Sequence, residues 1–142
     1  MIRKAKKEDL NKIASLFKKG FSEKPYNEKW TDRNAKDKIE EYYKNGTILV
    51  NIENNSILGF IIFSELLWDN HIKLMIDEMV VDEAYRGKGI GTLLLKEAEK
   101  PAKKKGINNI ELVSNINSNA FNLYKKLNYK ETGLVVMEKI LQ

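Results

Sequence analysis

Residues 80–94 read Val80-Val81-Asp82-Glu83-Ala84-Tyr85-Arg86-Gly87-Lys88-Gly89-Ile90-Gly91-Thr92-Leu93-Leu94. Three glycines stand between a branched, strand-like run and a stretch whose apolar residues Ile90, Leu93, Leu94, Leu95, Ala98 and Ala102 recur at helical spacing. Glycine lets an anion approach the main chain closely, and the entrance to the following helix adds unpaired N–H groups and the positive end of a dipole. Arg86 and Lys88 add charge of the same sign. The segment reads as a strand–loop–helix unit whose loop suits a diphosphate.

Elements of both kinds extend outward from this loop. Upstream, residues 72–82 are expected to form the strand that feeds it, preceded by a hairpin of residues 47–52 and 57–66 around Asn54-Asn55-Ser56. A short strand at residues 2–5 precedes a helix that starts at Asp9 or Lys7-Glu8 and carries Leu10, Ile13, Ala14, Leu16 and Phe17. Residues 20–27 break that pattern, Thr31 caps a second helix through Ala35, Ile39, Tyr42 and Tyr43, and Asn45-Gly46 ends it. Downstream, Pro101 is expected to kink or shorten the third helix and Gly106 to close it. Residues 107–113 return to strand, 118–127 form a short amphipathic helix, and 129–131 with 134–141 are expected to make a final hairpin. The order β-α-α-β-β-β-α-β-α-β-β gives an α/β fold of α+β character, with helices on the faces of a mixed sheet.

The chain of 142 residues fits one domain, residues 1–142, and its 42% hydrophobic and 32% charged residues contain no long apolar run. The start, MIRKAKKEDL, lacks the apolar core of a signal peptide, so an intracellular, cytoplasmic protein without membrane association is expected. Cysteine is absent, which excludes disulfides, thiolate metal sites and a cysteine acyl-enzyme. The single histidine, His71, follows Trp68-Asp69-Asn70 and has no Gly-x-Ser-x-Gly elbow, so it reads as an exposed loop residue. The net charge of +5 attracts acidic partners, but the lysines are spread out, and Lys103-Lys104-Lys105 sits where a helix C-terminus favours cations. Nothing in the aromatic spacing supports nucleic-acid binding.

Several cofactors use glycine-rich turns, and spacing separates them. A Walker loop requires Gly-Lys-Ser/Thr, whereas Gly89 is followed by Ile90; a Gly-x-Gly-x-x-Gly fingerprint counted from Gly87 ends on Thr92. What remains is Arg-x-x-Gly-x-Gly, and with it residues 80–94 resemble the coenzyme-binding motif of the Gcn5-related N-acetyltransferase (GNAT) family. Downstream, Asn117-Ser118-Asn119-Ala120-Phe121-Asn122-Leu123-Tyr124-Lys125-Lys126-Leu127-Asn128-Tyr129 is similar to that family's second signature. Asn128 departs from it by standing where the family usually has glycine, a position asparagine tolerates in a left-handed backbone.

The resemblance implies a GNAT-like acyl-CoA N-acyltransferase fold, with a central, mostly antiparallel sheet of about seven strands and about four helices. It implies acetyl-CoA as cosubstrate, no metal, and transfer of the acetyl group to a primary amine in a ternary complex. The amine could be a peptide N-terminus, a lysine, a polyamine, an aminoglycoside or a small metabolite. Cofactor contacts carry over to Met79, Val80, Val81, Arg86, Gly87, Lys88, Gly89, Ile90, Gly91, Thr92, Asn117 and Tyr124. Among these, residues 86–92 hold the pyrophosphate, Met79 to Val81 pair along the pantetheine arm, and the two central parallel strands, residues 76–82 and 110–114, splay to admit it. An N–H near Val81 would receive the oxyanion, Tyr124 would be the general acid, and Glu78 the base. Asp77, Glu111 or water are the alternatives for the base, and strict alternation puts Asp77 and Glu78 on opposite faces. The acceptor is expected to meet residues 21–30, with Phe21, Tyr26 and Trp30 as lining, and the final hairpin. Dimers are common in the family, so a homodimer is a further expectation. The rival reading is a non-catalytic acetyl-CoA-binding regulatory module.

Overall fold

Branched and aromatic residues between positions 47 and 81 build the middle of a five-stranded sheet in the computed structural model, which describes residues 1–142. In chain order the elements are β1 (Ile2–Lys4), α1 (Leu10–Ser22), α2 (Asp32–Asn45), β2 (Thr47–Glu53), β3 (Ser56–Trp68), β4 (His71–Val81), α3 (Ile90–Lys104), β5 (Ile110–Leu112) and α4 (Asn119–Lys126). The sheet order is β1-β2-β3-β4-β5, antiparallel throughout except between β4 and β5. The sequence accounts for the tight turns. Asn54 and Asn55 take φ of 50° and 63° to close the β2–β3 hairpin, and Asp69 takes 58° in the β3–β4 turn.

Local capping uses Thr31, as expected, and Ser118, which was expected to be the first residue of the last helix. Thr31 accepts from the Asn34 N–H at 3.0 Å and Ser118 from that of Phe121 at 3.1 Å, which start α2 and α4. A 3-10 turn at Lys7–Asp9 leads into α1, and the Asp9 carboxylate accepts from the Lys6 N–H and from Arg3, both at 2.7 Å. Gly106 and Asn128 both turn through positive φ after their helices. α3 passes through Pro101 to Lys104, so the proline does not shorten it. Pro101 lies in the last turn, where its missing N–H forfeits one hydrogen bond, and the Lys105 N–H still donates to the Pro101 and Ala102 carbonyls.

Helices cover both faces of the sheet. On one face α1 and α2 pack Ile13, Phe17 and Ile39 over Val50, Phe60 and Ile62. On the other, α3 and α4 pack Leu94, Leu95, Ala98 and Tyr124 over Ile61, Phe63, Leu74 and Ile76. No helix is long and apolar enough to cross a membrane.

The sheet has five strands rather than seven, because the final hairpin does not form. Residues 129–131 and 134–141 are irregular, and no backbone–backbone hydrogen bond involves a residue beyond Tyr129. A hairpin joined at Thr132-Gly133 would need positive φ at its first central position for a type I′ or II′ turn, which a β-branched residue resists.

Candidate active site

β4 and β5 run parallel and pair only over Leu74–Ile76 and Ile110–Leu112, after which β4 continues to Val81 alone on that edge. The pairing ends where a splay was expected, but β5 is the edge strand of the sheet and not a central one. The Asp82 N–H donates to the Leu58 carbonyl at 2.8 Å, and the Val80 carbonyl turns toward Gly59 of β3. Main-chain direction alternates along a strand, so the N–H groups of Met79 and Val81 point into the gap. The side chain of Arg86 reaches one of the carbonyls on this edge, with Nε donating to Val81 O at 3.0 Å.

The glycine loop closes the end of the gap. Gly87 and Gly89 hold φ of 77° and 83°, and Gly89 is the residue from which α3 starts. The first backbone bond of α3 runs from the Leu93 N–H to Gly89 O at 3.1 Å, and no N–H from residue 87 to residue 92 has a backbone acceptor. Successive free donors at a helix entrance form an anion cradle. A cavity of about 420 Å³ lies against it, lined by Met79, Val80, Val81, Arg86, Gly87, Gly89, Ile90, Gly91 and Thr92 among others. Of the remaining residues expected at the coenzyme, Lys88 sits with its ammonium 5.4 Å from the centre of the Tyr85 ring, and Asn117 is exposed. Neither lines the cavity, and Tyr124 borders a neighbouring groove instead. Arg86 is occupied by an ion pair with Glu23 at 3.0 Å, which fastens the segment after α1 to the loop.

The two strand carboxylates share a face, contrary to the expected alternation. The β3–β4 register slips between Ile62 and Phe63, which oppose Glu78 and Ile76, so Asp77 is an extra residue in β4. Leu74 and Ile76 before the bulge pack under α3, whereas Val80 after it packs under α1 and α2. A bulge resets the alternation, and both Asp77 and Glu78 therefore turn toward α2. Glu78 accepts from the Tyr42 hydroxyl at 2.7 Å, and Asp77 accepts from Ser64 at 2.8 Å. Burial pushes the Glu78 carboxyl up to about 7 against the pull of the Tyr42 hydrogen bond, and the charges of Glu28 and Asp77 add to the rise. Burial also raises Asp77. Glu111, the alternative on β5, is held in an ion pair with the buried Lys73.

Tyr124 stands on α4 and borders the groove. Its ring packs edge-on at 5.7 Å from that of Tyr129, and the residue is buried. Burial raises its pKa, and Tyr26 and Glu78 are near enough to raise it further, so its hydroxyl stays protonated near neutrality. The hydroxyls of Tyr42 and Tyr129 donate to Glu78 and Glu99, but that of Tyr124 has no such partner. Phe21 and Tyr26, expected at the acceptor, line the same cavity as the glycine loop. Trp30 does not; it packs 4.8 Å from Phe17 and donates to Glu28. Tyr42 and Ser64 are neighbours of the strand carboxylates that no linear pattern marks, because each reaches them from a segment remote in sequence.

A model of the family described as "Acetyltransferase (GNAT) family" matches residues 9–129. An uncharacterized N-acetyltransferase of Methanocaldococcus jannaschii is 30% identical over 142 residues, covering 94% of this chain and 62% of its own length. The chain thus spans less than two thirds of that relative. Among solved structures, a possible acetyltransferase of Clostridium difficile 630 superposes with a TM-score of 0.84 at 23% identity, covering 100% of this chain and 97% of its own. A predicted acetyltransferase of Clostridium acetobutylicum in complex with acetyl-CoA gives 0.77 at 21% identity, covering 98% and 95%. Both share the fold.

Proposed function

The chain belongs to the acetyltransferase (GNAT) family, and from that premise we propose that it moves the acetyl group of acetyl-CoA onto a primary amine by direct attack in a ternary complex. The observation that carries this reading is the run of free N–H groups from residue 87 to residue 92, opening onto the same cavity as the unpaired edge of β4. The residues present fit the coenzyme: the loop donors match a diphosphate, and the Met79 and Val81 main chain matches an amide-rich arm running beside it as a strand would. When bound, the coenzyme supplies an activated thioester.

The chain's own groups divide the remaining work. Glu78, with its carboxyl near 7, takes the proton of the incoming ammonium directly or through water, and the Val81 N–H meets the charge that develops on the carbonyl oxygen. Tyr124, whose hydroxyl keeps its proton near neutrality, would supply that proton to the departing sulfur. Its raised pKa makes full transfer costly early on, so a hydrogen bond that becomes a transfer as sulfur gains charge is the economical course. Asp77, Glu78 and Glu28 surround the acceptor end with negative charge, which favours an amine that arrives as a cation.

Acetyl-CoA is expected to raise the melting temperature, and a panel of amines to release free coenzyme A thiol in its presence. The absence of both effects would overturn the proposal; a thermal shift with no thiol release from any amine would mark a binding module without turnover.

Glu78 gives a separate prediction with a definite sign. Turnover should rise with pH through about 7 as its carboxyl deprotonates, and Glu78→Gln should lower turnover and remove that inflection. Its folded-state pKa lies above the ordinary 4.5, so its contribution to stability is present below 4.5 and is lost as pH rises through about 7. Glu78→Gln, which keeps an acceptor for Tyr42, should therefore be more stable than the parent at pH 8 by thermal unfolding. A variant with the parent's pH dependence of both turnover and stability would remove Glu78 from the mechanism.

A further inference from the structure

The charged side chains that line the cavity beside the glycine loop are Glu23, Lys24 and Arg86. Two of them cancel. Arg86 donates from one terminal nitrogen to the Glu23 carboxylate at 3.0 Å and from Nε to the Val81 carbonyl at 3.0 Å, so its charge is balanced and its guanidinium is tied to the wall before any ligand arrives. Lys88, the other cation of the loop, sits by the Tyr85 ring and does not line the cavity.

Lys24 is different. It enters none of the chain's ion pairs, although its neighbour Glu23 does. The backbone that carries it is closed on itself. The Glu28 N–H donates to the Phe21 carbonyl at 2.8 Å, the Asn27 N–H donates to that of Glu23 at 2.9 Å, and the Phe21 ring packs 5.0 Å from Phe17 and 4.8 Å from Tyr26. The bond from Arg86 to Glu23 then fastens this closed segment to the glycine loop. A lysine on a backbone already fixed at the cavity gives up less freedom when it meets a ligand than one on a loose loop.

A diphosphate carries negative charge on both phosphates, whereas the N–H groups at a helix entrance bear only partial positive charge. A full cation completes the match. On the reading that acetyl-CoA fills this cavity, we infer that Lys24 supplies the side-chain cation to the coenzyme's diphosphate, and that the Glu23–Arg86 pair is a positioning device that holds Lys24 there and not a phosphate contact of its own. The arginine of the glycine motif is then a brace, and the charge comes from the segment after α1.

Lys24 is exposed, so its substitution leaves the fold intact. In calorimetric titration of the full chain with acetyl-CoA at low salt, Lys24→Gln is expected to bind about 10-fold more weakly than the parent and Lys24→Arg within about threefold of it, with the gap for Lys24→Gln narrowing as salt is raised. The acetyl-CoA analogue that keeps the diphosphate and lacks the ribose phosphate should show the same loss. Glu23→Gln combined with Arg86→Gln removes the pair without changing net charge. It should weaken binding in the parent and cost nothing further in the Lys24→Gln background, since a positioning pair has nothing left to position. Parental affinity in Lys24→Gln, a loss that vanishes with the analogue, or losses from the pair and from Lys24→Gln that add would each overturn the inference while leaving the coenzyme in its cavity. A parent chain that does not bind acetyl-CoA would overturn both the inference and the reading beneath it.

Discussion

Gly89→Val is expected to weaken acetyl-CoA binding by about 100-fold or more, read by calorimetric titration. Gly89 holds φ of 83°, and a Cβ built on it meets no protein atom within 4 Å, so the side chain would project into open space at the helix entrance. The N–H groups of residues 87–92 beside that space have no backbone acceptor, and a branched side chain there would hold a diphosphate away from them. The left-handed backbone adds a stability cost of roughly 1–2 kcal/mol that has nothing to do with the ligand. Gly106→Val separates the two effects. Gly106 has φ of 75° and equally open surroundings but lies at the far end of α3, so it should lose stability and keep affinity. Affinity retained in Gly89→Val would show that the loop does not hold the coenzyme.

Tyr124→Phe should lower kcat by about 100-fold or more while leaving the Kd for acetyl-CoA nearly unchanged. The ring supplies the packing, against Tyr129 and within the core under α3, and phenylalanine preserves it. What the substitution removes is a buried, protonated hydroxyl that no carboxylate of the chain engages, so the fold loses little. Stopped-flow or thiol-release assays at saturating coenzyme read the effect directly. Unchanged turnover would return Tyr124 to the role of a packing residue.

Much of the site could be read from the order of residues, because its central device is local. Gly87, Gly89 and the apolar run from Ile90 specify a turn into a helix whoever their neighbours are, and the free N–H groups follow from helix geometry. Thr31, Ser118, Gly106 and Asn128 act within a few residues and lie where the sequence places them. The acid–base environment is different. Tyr42 meets Glu78 across 36 positions and Arg86 meets Glu23 across 63, and no periodicity within either segment records those meetings.

Two expectations failed for the same reason. Alternation along β4 assumed an unbroken register, but the register is a property of the pair, and the bulge opposite Ile62 and Phe63 brings Asp77 and Glu78 onto one face. The final hairpin was read from the apolar character of residues 134–141, which is real and is left exposed. Apolar alternation records that a segment wants cover; it does not record what covers it. The sequence by itself determined the helices, the hairpin closed by Asn54-Asn55, and the glycine cradle, since each depends on torsions and hydrogen bonds between near neighbours. Only the tertiary structure decided which strand carboxylates share a face of the sheet, which cations are already paired, and where the sheet ends, because those depend on strand register and on contacts between remote segments.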